Sequence, residues 1–130
     1  MELFTVKPGE GIERMDKLFA RIQTKCLERK HLFPLLPSNP LTVLFESNRE
    51  MWMLSLSKSR IDWSRGTVSC HHVRLNGKDE VFQTILLGKE RLLTAVKRKD
   101  VSIYGPFRSQ LQLEAIFWLC KEHEETAIFG

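Results

Sequence analysis

The chain has 130 residues, of which 42% are hydrophobic and 28% charged, with a formal net charge of +4. This length suits one domain with its own core, so we predict a single domain over residues 1–130, and the composition excludes a disordered chain. Three cysteines without a Cys-x-x-Cys pair argue against a disulfide framework. No apolar run approaches the ~18 residues of a membrane span, and the N-terminus does not resemble a signal peptide. We therefore expect a cytoplasmic protein.

The first predicted element is a helix over residues 11–30. Its apolar residues recur at steps of three and four, which is the spacing of one helix face. They are Ile12, Met15, Leu18, Phe19, Ile22 and Cys26. Gly9 and Gly11 precede this helix, and three prolines follow it in the connector 31–40, which we predict to be irregular. The connector is too apolar to face water, so we expect it over the core or at the mouth of a pocket.

Alternation of apolar and polar residues predicts a sheet in the middle of the chain. Strand patterns cover 41–46, 51–57 and 61–66, and a run of mixed polarity covers 67–75; Ser47–Glu50 reads as the first turn. The run 51–57 is apolar on both faces at one end, which predicts that both faces are covered there. We interpret these runs as a meander.

Beyond Asn76-Gly77 the period becomes helical again. We predict a helix with Asp79 as its N-cap and Gly88 as its stop, and a short helix from Leu92 to Val96. A strand at Val101 and Ile103 and a final helix over 107–121 complete the chain. The order of elements predicts an α+β domain with a mixed, mostly antiparallel sheet of about five strands covered by helices.

The final helix is apolar on two opposite sides. At 100° per residue, one apolar sector holds Phe107, Leu111, Ala115 and Trp118, and the nearly opposite sector holds Leu113, Ile116 and Cys120, with Phe117 beside it. A sheet covers only one side of such a helix, and leaving ~400 Å² of apolar surface in water would forgo roughly 10 kcal/mol. The rest must be covered by more protein, a second subunit or a bound apolar molecule.

Residues 81–119, VFQTILLGKERLLTAVKRKDVSIYGPFRSQLQLEAIFWL, resemble the C-terminal half of the sterol carrier protein 2 family, the non-specific lipid-transfer proteins. That family runs an apolar helix into Gly-Lys, then a short helix with an alanine, a basic turn, a strand closing on glycine, and a final helix over a lipid tunnel. The matching residues here are Gly88-Lys89, Ala95, Lys97–Lys99, Val101 and Ile103, and Gly105. Pro106 replaces the usual small polar residue, the basic turn lacks a glycine, and the last three residues are not a peroxisomal tripeptide.

The resemblance implies that the chain binds a hydrophobic ligand in an internal cavity under the final helix and carries or presents it. A fatty acyl chain, an acyl ester and a sterol-like lipid all fit this expectation, and Lys97, Arg98 and Lys99 would draw the protein toward an anionic membrane surface. Ala115 is the small residue of its sector, so Ala115→Trp should weaken binding. The residues expected to line the cavity are Phe82, Ile85, Leu86, Ile103, Phe107, Leu111, Ala115, Trp118 and Leu119.

The sequence offers no motif for catalysis. It contains no G-x-S-x-G, phosphate loop, dinucleotide fingerprint or H-E-x-x-H, so we expect no enzyme and no cofactor. Cys70 and His72 share one strand face, but no further ligands complete a site, and we expect no metal. Aromatic residues do not interleave with the basic turn, so we expect no nucleic acid partner. Two alternatives stay open: a homodimeric interaction module using the apolar final helix, and a small enzyme with an unrecognised site. The protein is then a monomer or a homodimer.

Overall fold

The computed structural model describes residues 8–47, 50–66 and 71–121, with side chains from residue 15 onward. It confirms the predicted α+β class with a five-stranded mixed sheet. The elements in chain order are α1 Pro8–Glu28, a 3-10 helix Lys30–Leu35, β1 Leu41–Ser47, β2 Glu50–Leu56, β3 Ile61–Arg65, β4 Val73–Gly77, α2 Asp79–Leu86, α3 Leu92–Lys97, β5 Val101–Tyr104 and α4 Phe107–Leu119.

The first helix begins earlier than predicted. Pro8 occupies its first turn, where the fixed φ of proline suits the helix and its missing N–H costs nothing. Gly9 and Gly11 therefore lie inside α1 rather than before it. The connector is more regular than predicted, because its first five residues, 31–35, belong to the 3-10 helix.

The strands lie in the order β3–β2–β1–β4–β5. The pairs β1–β2, β2–β3 and β4–β5 are antiparallel, whereas β4 runs parallel to β1, with Val73 opposite Val43. The predicted meander is correct for β1 to β3 and wrong at β4, because the chain crosses to the other side of β1 after β3. Residues 67–70 of the predicted run 67–75 lie outside the described residues.

One face of the sheet carries the main core. Side chains alternate across the strands, so Val43, Phe45, Trp52 and Leu54 point toward the helices and are buried with the apolar stripe of α1. On the opposite face, Leu44 and Met53 face each other across β1 and β2 and are also buried. The prediction that β2 is covered on both faces is confirmed at Met53 and is wrong at Met51, which is 38% exposed.

Two turns fix the ends of α2. Lys78, not Asp79, holds the N-cap position, and no side chain caps the helix there, which corrects the predicted cap. Gly88 ends the helix as predicted, with a backbone φ of +78° that residues other than glycine rarely adopt. The backbone of Gly88 lies so close to Lys121, just past the end of α4, that an added Cβ would clash with Lys121 Cβ.

The final helix presents its two apolar sectors to different environments. Leu113, Ile116 and Phe117 are buried against the sheet and the other helices, as is Cys120 just after the helix. The opposite sector faces outward, and Phe107 and Leu111 there are 64% and 45% exposed. The sheet side of α4 is therefore the sector that begins at Leu113.

Candidate functional site

Protein side chains fill the layer between the sheet and α4. The Phe45 ring lies edge-on to Phe82 with centroids 5.2 Å apart, and 6.2 Å from the Phe117 ring. Ile85 and Leu86 are fully buried in the same core. The three predicted wall residues of α2 are therefore part of the packed core.

The other predicted wall residues do not join these three around one space. Ile103 on β5 and Leu119 at the end of α4 are partly buried against the core. Phe107 and Leu111 face outward, and Ala115 is only half-buried. Trp118 is half-buried beneath two cations, with Arg91 Cζ 4.7 Å and Lys121 Nζ 3.8 Å from its ring centroid.

A cavity of about 460 Å³ lies elsewhere, at the C-terminal end of α1. It opens between the last turn of α1, the 3-10 helix and the turn that joins β2 to β3. The volume falls within the ~300–1,000 Å³ typical of small-molecule sites. The residues that line it are Cys26, Leu27, Arg29, Lys30, Phe33, Leu36, Ser57, Lys58, Arg60 and Ile61. We call this cavity the α1-end pocket.

Local hydrogen bonds hold the walls of the α1-end pocket. The buried Ser57 hydroxyl accepts from the Arg60 amide at 3.1 Å and donates to its carbonyl oxygen at 3.0 Å, which closes the β2–β3 turn. The Lys58 amide donates to the Pro37 carbonyl oxygen at 2.8 Å and joins this turn to the connector. The connector thus lies at the pocket mouth, with Phe33 50% exposed on one wall.

The pocket combines an apolar floor with a basic rim. Leu36 and Ile61 are buried at the floor, whereas Lys30, Lys58 and Arg60 are exposed. Lys58 Nζ lies 5.3 Å from the centroid of the Phe33 ring, and Arg60 pairs with Asp62 at 2.5 Å.

Arg29 has a structural role at the pocket wall. Its guanidinium donates to the carbonyl oxygens of Leu119 at 2.7 Å and Lys121 at 2.9 Å, which ties the end of α1 to the end of α4. Because Arg29 is engaged in this way and Arg60 pairs with Asp62, Lys30 and Lys58 are the lining cations positioned to meet an anionic group at the mouth.

Two buried thiols meet at the wall of the α1-end pocket. The Sγ atoms of Cys26 and Cys120 lie 3.7 Å apart and share a hydrogen bond. This hydrogen bond lowers the pKa of the Cys26 thiol, as does the charge of Arg29, while burial opposes the shift. The same hydrogen bond and burial raise the pKa of the Cys120 thiol. Sequence reasoning placed Cys26 on the core face and did not connect it with Cys120.

The predicted basic turn is partly neutralised. Arg98 forms ion pairs with Glu90 and, at 2.6 Å, with Asp100, and these hydrogen bonds raise its pKa further above its usual value. Lys97 and Lys99 remain exposed on either side.

His72 packs against Thr42, and its ring Nδ1 lies 3.0 Å from the threonine hydroxyl. Within the described ranges, no three His, Cys, Asp or Glu side chains cluster in a way that would hold a metal ion. Cys70, the other member of the strand pair considered from the sequence, lies outside those ranges.

Comparisons with solved structures identify the fold. No family model and no curated protein matches the chain. Among solved structures, UbiJ-SCP2, described as a ubiquinone synthesis protein, aligns with a TM-score of 0.67 at 13% identity, covering 88% of this chain and all of that one. Sterol carrier protein domain 2 of Helicoverpa armigera aligns with a TM-score of 0.64 at 10% identity, covering 82% of this chain and 87% of that domain. The chain has the sterol carrier protein 2 fold.

A third structure with this fold is the palmitated SCP2L2 of Aedes aegypti, with a TM-score of 0.59 at 15% identity, covering 82% of this chain and 96% of that one. The shared sterol carrier protein 2 fold confirms the architecture implied by residues 81–119. In the part of this chain that the structure describes, every helix is too short or too polar to cross a membrane.

Proposed function

We propose that this protein binds a hydrophobic ligand with a long acyl chain in the α1-end pocket and carries or presents it without changing it chemically. The observation that carries the proposal is the pairing of an apolar floor with a basic rim in a cavity of about 460 Å³. The sterol carrier protein 2 fold supports it, since one protein with that fold is described as palmitated.

The two ends of an acyl ligand have different partners in this pocket. The chain would lie against Leu36, Ile61 and the ring of Phe33, because apolar surface removed from water favours binding. A carboxylate or phosphate at the mouth would accept hydrogen bonds from Lys30 or Lys58. The ligand is then an anionic amphiphile lying with its head group outward.

The free energy gained per buried methylene predicts that affinity depends strongly on the length of the acyl chain. Each buried CH₂ contributes about 0.8 kcal/mol, which is roughly a fourfold change in affinity. Association and ordering consume at least ~4 kcal/mol of the gross gain, so micromolar to nanomolar affinity is the expected range. Short chains should bind weakly because they leave most of the floor uncovered.

We also propose a transient contact with an anionic membrane surface, which delivery of a lipid requires. Phe107 and Leu111 project from α4, and Arg108, between them on the same helix, is an exposed cation. Apolar side chains flanked by cations are typical of helices that lie at a bilayer surface. Sedimentation of the delipidated protein separates this contact from a homodimer, which would appear at twice the monomer mass.

The test is a titration of delipidated protein with a fluorescent long-chain fatty acid. Phe33→Glu places a carboxylate on the pocket wall and should weaken binding at least tenfold, because it both interrupts the apolar wall and repels an anionic head group. Met51→Glu makes the same kind of change at an exposed apolar side chain of β2 and serves as the matched control.

Ala115→Trp separates the pocket from the site expected under α4. Ala115 lies on the outward sector, so the pocket proposal predicts that Ala115→Trp binds like the parent. Wild-type protein that binds no long-chain fatty acid would refute the proposal. So would full affinity in Phe33→Glu together with a loss in Ala115→Trp.

A further inference from the structure

Cys26 and Cys120 form a thiol pair with unequal access to solvent. Cys26 lies in the last turns of α1 and belongs to the wall of the α1-end pocket, whereas Cys120 follows α4 and is fully buried. The two residues are 94 positions apart in sequence, yet their Sγ atoms lie 3.7 Å apart. Tertiary packing alone brings them together.

We propose that Cys26 and Cys120 are a redox-active dithiol that a hydroperoxide entering the α1-end pocket converts to a disulfide. The inference uses the pocket of the proposed function as the entry path, but it does not require that the pocket holds a lipid. It assigns to Cys26 the attack on the oxidant and to Cys120 the role of the resolving thiol.

The surroundings favour this division of roles. Reactive cysteines are partly accessible and lie near positive charge, whereas thiols buried in apolar surroundings are inert. Cys26 is 5% exposed and lines the pocket, and the Cys120 hydrogen bond and the nearby Arg29 charge stabilise its thiolate. Cys120 lies behind it and reaches no solvent, so an oxidant meets Cys26 first.

The chemistry balances with a hydroperoxide, ROOH, as the oxidant. The Cys26 thiolate attacks the outer peroxide oxygen, the O–O bond breaks, and a proton completes the alcohol ROH, or water when the oxidant is hydrogen peroxide. Cys26 is now a sulfenic acid, oxidised by two electrons. The Cys120 thiol then attacks the Cys26 sulfur, the S–O bond breaks, and water leaves as the disulfide forms.

Little rearrangement is needed for the second step. The sulfur atoms are already 3.7 Å apart, so they have to approach by less than about 2 Å to reach the ~2.05 Å length of a disulfide bond. The disulfide would join the ends of α1 and α4, which the Arg29 hydrogen bonds already hold together. Because it closes a long loop in the unfolded chain, the oxidised form should melt several degrees higher than the reduced form.

The test treats the full chain with hydrogen peroxide and, separately, with linoleic acid hydroperoxide. Non-reducing peptide mapping should find Cys26 linked to Cys120, and the intact mass should fall by two hydrogens. Cys70→Ser removes the third thiol and should leave this result unchanged. Faster oxidation by the lipid hydroperoxide at equal concentration supports a lipid-borne oxidant, and equal rates support a freely diffusing peroxide.

Two variants in the Cys70→Ser background test the roles. Cys120→Ser should stop at a Cys26 sulfenic acid that dimedone traps, and Cys26→Ser should leave Cys120 unmodified. Both thiols remaining free under peroxide, or Cys26 advancing to sulfinic acid beside a reduced Cys120, would overturn the proposal.

Palmitate distinguishes this inference from the proposed function. If palmitate binds in the pocket, it should slow disulfide formation by covering Cys26. A chain that forms the disulfide but binds no palmitate would refute the carrier proposal and leave the dithiol standing. A chain that binds palmitate but never links Cys26 to Cys120 would refute the dithiol and leave the carrier proposal standing.

Discussion

Matched Phe→Ala substitutions on α4 test which face of this helix belongs to the core. Phe117 is 1% exposed, and its ring lies 6.2 Å from that of Phe45. Removing a buried phenylalanine costs about 3–5 kcal/mol, because the transfer free energy is lost and a cavity remains. Phe107 is 64% exposed on the same helix. Only about a third of the ~1.5–3 kcal/mol of full burial is then at stake, and the higher helix propensity of alanine offsets part of it.

Urea denaturation followed by circular dichroism measures both variants. Phe117→Ala should lower the free energy of unfolding by about 3–5 kcal/mol, and Phe107→Ala by less than about 1 kcal/mol. Phe45→Ala should behave like Phe117→Ala, because the two rings belong to one packed layer. Equal losses at Phe117 and Phe107 would show that the outer sector of α4 is covered in solution. A loss below about 1 kcal/mol at Phe117 would refute the packed layer itself.

Three further expectations concern the ends of helices and the edge of the sheet. Gly88→Ala should lower the free energy of unfolding by about 2 kcal/mol or more in thermal melts, because backbone strain adds to the clash with Lys121. Gly66→Ala should lower it less, because a Cβ there meets nothing within 4 Å. Equal losses would contradict the close contact at Gly88. Arg29→Met should lower the free energy of unfolding by about 2 kcal/mol, because two hydrogen bonds are lost, and Arg60→Met, at an exposed position, should lower it much less. An Arg29→Met variant as stable as the parent would show that these hydrogen bonds do not hold α1 and α4 together. Amide exchange should be slowest in β1 and still slow in β5, and loop-like exchange at 101–104 would contradict the β4–β5 pairing.

The order of elements was predictable because each change of period is local. Steps of three and four at α1, alternation at β1 and β2, and the return to helical spacing after Gly77 are all visible within about ten residues. Gly88 was predictable for the same reason, since a glycine after an apolar helical run marks a left-handed end.

The orientation of α4 could not be read from its sequence. The sector with Leu113 and Ile116 and the sector with Phe107 and Leu111 are about equally apolar, so the helix alone does not say which one meets the sheet. Phe45 of β1 and Phe82 of α2 form the surface against which Phe117 packs, and both lie far from α4 in sequence. The expected cavity walls took Phe107, Leu111, Ala115 and Trp118 from the sector that faces outward. The structure therefore does not bring them together with the buried residues of α2.

The strand order and the α1-end pocket also could not be predicted from the sequence, because both depend on contacts between distant segments. Alternation identifies a strand but not its neighbours, so the parallel pairing of β4 with β1 needed the structure. The α1-end pocket draws on three segments, of which only the apolar connector was singled out as a pocket mouth. The cations of Lys30 and Arg60, which flank apolar segments, were the unused signal for its rim.

The central claim is that an acyl ligand enters the α1-end pocket, and an NMR titration of delipidated, ¹⁵N-labelled protein with palmitate tests it most directly. The account predicts chemical-shift changes concentrated in residues 26–36 and 57–61, growing with the length of the fatty acid and reduced by Phe33→Glu. Saturable changes centred instead on residues 82–86 and 103–119, or no changes at any chain length, would contradict it.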